Sequence, residues 1–128
     1  MTKHGFDALR TANFVLLTTF RKSGEGVPTA VWAAPAGEAL MVTTMSTAGK
    51  VKRIRNNSAV TLSECSMSGN VKDGAEMFAG TAEIVEDPAR IEEYNRALAA
   101  KYGIQFSAAN ALERLRKVPR VILRITPA

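Results

Sequence analysis

The fold is decided by the stretch FVLLTTF, residues Phe14–Phe20, which is rich in β-branched and aromatic residues. The short connection GEG, residues 24–26, separates it from a second run of the same kind, VPTAVWA, residues Val27–Ala33. Glycines at both ends of so short a connection predict a β-hairpin. Pro28 has no backbone N–H to donate, so the start of the second strand belongs at a sheet edge or a strand end.

Further strands and helices are predicted along the rest of the chain. A turn at Pro35–Glu38 leads to a third strand, so that the first three strands form a meander. The third and later predicted strands are Ala39–Thr44, Ala59–Cys65, Ala75–Val85 and Arg120–Thr126. The predicted helices are Lys3–Ala12, a short basic helix within Ala48–Asn57, a helix that starts at Asp87-Pro88 and ends at Gly103, and Ser107–Lys117.

About six antiparallel strands with flanking helices predict a mainly β fold in which the strands form a small barrel. We expect the barrel to be closed, since closure removes exposed strand edges. Side chains fill the interior of a small barrel, so a large cofactor would lie outside it, in a groove or between subunits. With 128 residues the chain fits a single cofactor-binding domain, 1–128.

Composition excludes several classes of function. No apolar run approaches the ~20 residues that a membrane helix needs, and the N-terminus lacks the layout of a secretory signal, which predicts a cytoplasmic protein. Cys65 and His4 are the only cysteine and histidine, too few for an intrachain disulfide, a His/Cys metal site or a catalytic triad. If the protein is an enzyme, a cofactor must therefore supply the reactive group.

The net charge of +5 predicts an anionic partner, which could be a nucleic acid, an acidic membrane surface or a phosphorylated small molecule. Thr43 and Thr44 end a predicted strand, and Gly49 and Lys50 begin the basic helix soon after. A helix N-terminus presents unpaired N–H groups and a partial positive charge, so these residues predict a phosphate site.

Two other interpretations of this basic segment stay open. A basic run on a short helix is usually a solvated face, and a basic patch can also bind nucleic acid, although few aromatic residues stand beside this one for stacking. Ser46 or Thr47 is the expected N-cap of the helix, and Asn57 is its expected end.

Trp32, the only tryptophan, has two interpretations. Strand aromatics usually pack in the core, which the pattern favours; alternatively, Thr29–Trp32 forms the floor beneath a planar ring. Cys65 is interpreted as a small buried apolar residue and Tyr94 as helix packing, while the role of Tyr102 is left open.

Three segments of the chain resemble the pyridoxamine-phosphate-oxidase-like superfamily. They are FVLLTTF (Phe14–Phe20), VPTAVW (Val27–Trp32) and GKVKRIRNN (Gly49–Asn57) with the following Val60–Leu62. More narrowly, the chain is similar to the actinobacterial coenzyme F420-dependent enzymes, the flavin/deazaflavin oxidoreductases of the B type. The resemblance runs from about Phe14 to the last strand, and Gly49–Asn57 is its most specific part.

The resemblance implies a split-barrel homodimer with the cofactor at the interface. Lys50 corresponds to the family lysine that binds the cofactor phosphate, and Thr44 to the hydroxyl residue before it. Family members often carry a basic residue two places before that lysine, where this chain has Ala48. The further positive charge that binds the anion must therefore come from Lys52, Arg53 or the partner subunit. The candidate cofactor-binding residues are Thr29, Ala30, Val31, Trp32, Thr43, Thr44, Ser46, Gly49, Lys50, Lys52 and Arg53.

The same resemblance implies an oxidoreductase in which reduced F420 transfers a hydride to an unsaturated small-molecule acceptor. No residue is nominated as a catalytic acid or base, because the cofactor carries the chemistry. One alternative is an FMN-dependent relative of pyridoxamine phosphate oxidase. Another is a non-catalytic protein that binds a flavin, another anion or nucleic acid.

Overall fold

The computed structural model describes residues 9–71, 73–103 and 120–128. This part of the chain contains seven strands and two helices. The strands are β1 (Phe14–Phe20), β2 (Gly26–Val31), β3 (Ala34–Ala36), β4 (Ala39–Met45), β5 (Ala59–Cys65), β6 (Phe78–Val85) and β7 (Arg120–Pro127). The helices are α1 (Gly49–Asn56), between β4 and β5, and α2 (Pro88–Tyr102), after β6. The predicted class, mainly β with flanking helices, is confirmed.

The strands form one antiparallel sheet that curls into a half-barrel. Their order across the sheet is β2-β1-β5-β6-β7-β4-β3, and every pairing is antiparallel. β2 and β3 are therefore the edges of the sheet, although they follow each other in the chain. β7, the last strand in sequence, lies between β6 and β4.

Two details of the predicted sheet are wrong. The first three predicted strands do not form a meander, because β4 pairs with β3 and β7 and not with β2. The ladder of the described strands also ends at β2 and β3 without closing, so the barrel is split. The cause is the corner Trp32-Ala33, which belongs to no strand and carries the chain from one edge of the sheet to the other.

β3 is an additional strand where a four-residue turn was predicted. Pro35 and Ala36 pair with β4, and the turn is reduced to Gly37 and Glu38. Gly37 has φ +64°, which a residue with a side chain adopts only with strain. Pro35 is tolerated because an edge strand needs no donor on its outer side.

The inner face of the half-barrel is a filled hydrophobic core. β1 alternates buried and half-buried residues along its length, as a strand with one covered face does. Helix α1 lies across this core and buries Val51 and Ile54 in it. The core side chains that are at most 1% exposed include Leu9, Val15, Leu17, Leu40, Val42, Val51, Val60, Leu62, Leu123 and Ile125.

Helix α2 covers the opposite face of β3, β4 and β7. Leu98 is its fully buried residue and packs with Met41 and Ile122 in a second cluster. The predicted ends of α2 are confirmed: the Asp87 side chain accepts a hydrogen bond from the Arg90 amide, and Gly103 ends the helix with φ +61°.

Some predictions fall wholly or partly outside the described residues. These are the helix Ser107–Lys117, most of the helix Lys3–Ala12, and the position of His4. Neither α1 nor α2 is long and apolar enough to cross a bilayer.

Candidate functional site

The candidate site lies at the rim of the half-barrel, where β4 runs into α1. Helix α1 begins at Gly49, and its N-cap is Ala48, whose side chain makes no capping hydrogen bond. The prediction that Ser46 or Thr47 caps the helix is therefore wrong, because the extended residue that precedes the first turn lies further along the chain. The predicted C-cap, Asn57, is confirmed.

Lys50 faces the end of β4. Its Nζ donates to Oγ1 of Thr44 over 3.4 Å, so the structure brings together the lysine and the hydroxyl that were predicted to act together. Thr44 is buried and Lys50 is half-buried. Burial first, and then the charges of Arg53 and Arg120, hold the pKa of Lys50 below its ordinary value of 10.5.

Arg53 extends along the same side of α1. Its Nε donates to Oγ1 of Thr19, on β1, over 2.6 Å. Three residues along a helix turn through about 300°, so Lys50 and Arg53 lie about 60° apart around the helix axis. The guanidinium passes over Gly49, where an added Cβ would be 2.9 Å from Nη1 of Arg53. Gly49 therefore provides the space that Arg53 occupies.

Arg120 is the third cation of the site, and the sequence analysis did not single it out. It is the first residue of β7 and lies opposite Met45 in the sheet. Its Nε donates to Oγ1 of Thr43 over 3.0 Å. The sequence carried no local signal for this contact, because only the register between β4 and β7 puts the two residues together.

We call Lys50, Arg53 and Arg120, with the hydroxyls of Thr19, Thr43 and Thr44, the rim cluster. Each cation donates a hydrogen bond to one threonine. Thr19 lies on β1, and Thr43 and Thr44 lie on opposite faces of β4. Burial is the main cause of the lowered pKa of Lys50, and repulsion from the charges of Arg53 and Arg120 lowers it further. An anion bound among them would relieve that repulsion, and lysine, arginine and hydroxyl donors are the groups that proteins use to bind phosphate.

The other candidate residues divide into two groups. Lys52 is exposed and lies about 160° around α1 from Lys50, away from the rim cluster. Thr29 and Val31 are opposite Leu17 and Val15, so they face the inner core, while Ala30 faces the other side. Ser46 is half-buried between β4 and α1. None of these residues belongs to the rim cluster. β2 nevertheless lies next to the cluster, because its Val27 pairs with Thr19.

Trp32 lies at the β2–β3 corner against the end of α2. Its ring stacks on Tyr102, with centroids 5.0 Å apart and planes at 17°. It packs on the second cluster and is half-buried, as the packing interpretation predicted. One face of the indole is thus occupied by Tyr102.

Two side chains of α2, Lys101 and Tyr102, bind the backbone at this corner. The Tyr102 hydroxyl accepts from the Ala33 amide over 3.0 Å and lies 2.9 Å and 3.0 Å from the carbonyl oxygens of Asn13 and Ala33. The Nζ of Lys101 donates to the carbonyls of Ala12 and Ala33 over 2.7 Å and 2.6 Å. Burial raises the pKa of Tyr102 and lowers the pKa of Lys101.

Cys65 is 3% exposed at the end of β5, which confirms its interpretation as a buried small residue. Burial, and then the charge of Glu64, raises the pKa of its thiol. A raised pKa disfavours the thiolate, so Cys65 is not a nucleophile in the folded protein. Within the described ranges, no three His, Cys, Asp or Glu side chains group as metal ligands.

The fold is a split antiparallel half-barrel that carries three cationic side chains at its rim. The family model for pyridoxamine 5'-phosphate oxidase matches residues 1–128, so the chain belongs to that family. A comparison with curated protein sequences gave no match.

Solved structures with the same fold are similar over nearly the whole chain. The conserved hypothetical protein Rv2991 of Mycobacterium tuberculosis has a TM-score of 0.73 at 21% identity, covering 94% of this chain and 76% of its own. An F420 reductase has a TM-score of 0.65 at 23% identity, covering 100% and 96%. The heme storage protein HutZ of Vibrio cholerae has a TM-score of 0.70 at 14% identity, covering 91% and 82%. At these identities the likeness concerns the fold alone.

Proposed function

We propose that this protein is an oxidoreductase that binds the deazaflavin coenzyme F420, with its phosphate at the rim cluster. The observation that carries the proposal is the set of three cations, Lys50, Arg53 and Arg120, that threonine hydroxyls hold at one end of the half-barrel. The side-chain chemistry fits a phosphate group, since all three cations donate hydrogen bonds and two are guanidinium groups.

The guanidinium of Arg53 suits a phosphate ligand in particular. Its Nε is engaged by Thr19, which fixes the plane of the group. The Nη atoms then carry the donors of the outer edge, and that edge can bind two phosphate oxygens at once. Lys50 adds a point charge from the first turn of α1, where the helix dipole also favours an anion.

The ring of the cofactor must lie outside the half-barrel. The inner core is filled by side chains that are at most 1% exposed, such as Leu17, Leu40 and Leu123, which leaves no room for a planar ring. We propose that the backbone of Thr29–Trp32 and the outward-facing Ala30 line one side of the ring, and that a second copy of the chain completes the site, in a homodimer. Light scattering tests the dimer, and a monomer with cofactor bound would refute it.

In this arrangement the bound F420 supplies the hydride that reduces an unsaturated acceptor. The contribution of the protein is to bind the phosphate, orient the ring and exclude water. The cationic rim cluster and the net charge of +5 suit the phosphate and oligoglutamate tail of F420, both of which are anionic. FMN, which has a phosphate but no such tail, is the alternative cofactor.

Nucleic-acid binding is a weaker candidate. The cations of α1 point in several directions, and Arg55 pairs with Glu86 over 3.0 Å. Lys50 and Arg53 are half-buried and hydrogen-bonded to threonines, whereas nucleic-acid surfaces present exposed cations along a stripe or patch.

The proposal is tested by titrating the purified protein with F420, FMN and riboflavin, followed by Trp32 fluorescence. Tight binding of F420, weaker binding of FMN and little binding of riboflavin, which has no phosphate, are the expected results. Lys50→Ala should weaken F420 binding, while Lys22→Ala, which removes an exposed lysine from the β1–β2 turn, should not. Tight binding of FMN alone would move the function to a flavin enzyme. Equal affinities for FMN and riboflavin would contradict a phosphate site at the rim cluster.

A further inference from the structure

The end of α2 makes an unusual set of contacts with the corner between β2 and β3. Ala33 is 0% exposed and belongs to no strand, so its backbone groups need partners from elsewhere. Both are supplied by α2: the amide donates to the Tyr102 hydroxyl, and the carbonyl accepts from Lys101. Two consecutive helical residues thus satisfy the backbone at the point where the chain leaves the sheet edge.

The same two residues also hold the start of β1. Lys101 donates to the carbonyl of Ala12, and the Tyr102 hydroxyl lies 2.9 Å from the carbonyl oxygen of Asn13. The beginning of β1 and the end of β2 pair with each other, with Val15 opposite Val31. Lys101 and Tyr102 therefore fix both strands of this hairpin at its open end.

The ammonium group of Lys101 is half-buried, and removing a charged group from water costs free energy. The carbonyl partners of Lys101 carry no net charge, and burial lowers the pKa of the group. A hydrophobic residue at position 101 would avoid the cost of burying the charge but would leave the carbonyl of Ala12 without this donor. We therefore interpret Lys101 as a residue that fixes the position of the backbone by its hydrogen bonds, and not as one that adds packing energy.

The hairpin connects this corner to the rim cluster. Thr19, which holds Arg53, lies four residues from Val15 along β1, about 13 Å at the usual rise of a strand. β2 runs beside this segment, with Val27 opposite Thr19 and Val31 opposite Val15. Thr29–Trp32, the segment proposed to line the ring, therefore lies between the level of Thr19 and the corner that α2 holds.

We propose that Tyr102 and Lys101 are positioning residues, which set the orientation of Trp32 and of the ring-lining segment and so determine the affinity for the ring portion of the cofactor. The inference rests on the proposed function for its ligand. The stack of Trp32 on Tyr102 fixes the plane of the indole, and the hydrogen bonds to Ala33 fix the backbone that carries it.

The test uses Tyr102→Phe, which keeps the stacked ring and removes the hydroxyl, and Lys101→Met, which keeps the length of the side chain and removes the donor. Tyr94→Phe is the matched control, since Tyr94 lies on the same helix and its hydroxyl is bonded to Arg90. Far-UV circular dichroism and thermal melting confirm that each variant is folded. Dissociation constants are measured for F420, for FMN and for inorganic phosphate, and Trp32 emission is recorded without ligand.

We expect Tyr102→Phe and Lys101→Met each to weaken F420 and FMN binding about fivefold to tenfold, the effect of losing one or two hydrogen bonds. Phosphate affinity should change less than about twofold, because the rim cluster itself is intact. Trp32 emission should shift in both variants. Tyr94→Phe should leave all these quantities unchanged.

The possible failures are distinguishable. If the unaltered protein binds F420 or FMN and both variants bind them equally well, the positioning inference is overturned and the proposed function stands. A parallel loss of phosphate affinity would show a general structural effect and also overturn the inference. If the unaltered protein binds neither cofactor, the proposed function fails and the inference about ring affinity fails with it.

Discussion

Arg53 lies directly over Gly49, so that a Cβ on Gly49 would be 2.9 Å from Nη1 of Arg53. The sequence places Gly49 at the start of the basic helix, where unpaired N–H groups favour an anion. In the structure the space beside Gly49 is filled by a cation of the site. In the proposed anion site, the glycine would therefore act through the position of Arg53.

Gly49→Ala should weaken phosphate and cofactor binding without destabilising the protein. The new methyl group displaces the guanidinium from Thr19, while alanine is about 1 kcal/mol better than glycine within a helix. Thr19→Val removes the hydroxyl that accepts the hydrogen bond from Arg53, with little change in side-chain shape. Because both changes act on Arg53, their effects on the dissociation constant should not add in the double variant. Additive losses would show that Gly49 contacts the ligand by its own backbone.

Lys50→Met should stabilise the ligand-free protein and weaken anion binding. Folding lowers the pKa of Lys50 below 10.5, so the charged form costs stability at neutral pH, and the cost disappears as the pH rises to 10.5. The melting temperature of Lys50→Met should thus exceed that of the unaltered protein at pH 7, by less as the pH approaches 10.5. Losing a charged donor should weaken anion binding about tenfold or more. Lys22→Met is the control, and a lower melting temperature for Lys50→Met would contradict the prediction.

Anion affinity should fall as the pH rises. The proposed anion site uses Lys50 in its charged form, and the pKa of Lys50 in the free protein lies below 10.5, so the loss begins at a lower pH than for an ordinary lysine. Titrations with FMN between pH 7 and pH 10 measure the effect. Lys50→Arg should remove most of the decline, since an arginine stays charged over this range. An unchanged decline in that variant would assign it to another group, such as Lys101, whose pKa is also lowered by burial.

Cys65 should be unreactive until the protein unfolds. Its side chain is 3% exposed and its thiol pKa is raised, so both access and thiolate formation are disfavoured. A thiol reagent at pH 8 should label the native protein at least about a hundredfold more slowly than the protein in denaturant, following the free energy of opening. Rapid labelling of the native protein would show that the end of β5 opens readily.

Local signals made part of the fold predictable. β1, β5 and both ends of α2 follow from residues close in sequence, as with Asp87 and Gly103, whose capping roles depend only on their neighbours. The short β3 was missed because its strand signal is weak and Pro35 resembles a turn residue.

The candidate site was predictable only where the sequence brings its parts close together. Thr44 and Lys50 are six residues apart, and their pairing was expected. Arg120 is 77 residues from Thr43, and Tyr102 is 69 residues from Ala33. Contacts of that kind depend on strand order and on how a helix packs, which periodicity in one sequence does not reveal.

The position of β7 in the sheet has a consequence for folding during synthesis. Until this strand has been synthesised, no strand links β6 to β4. The sheet then consists of two separate pieces, β2-β1-β5-β6 and β4-β3. Arg120 arrives on the same strand, so the third cation joins the other two only when the sheet is completed. In the proposed function, a nascent chain that lacks β7 would therefore lack one of the three cations that bind the cofactor phosphate.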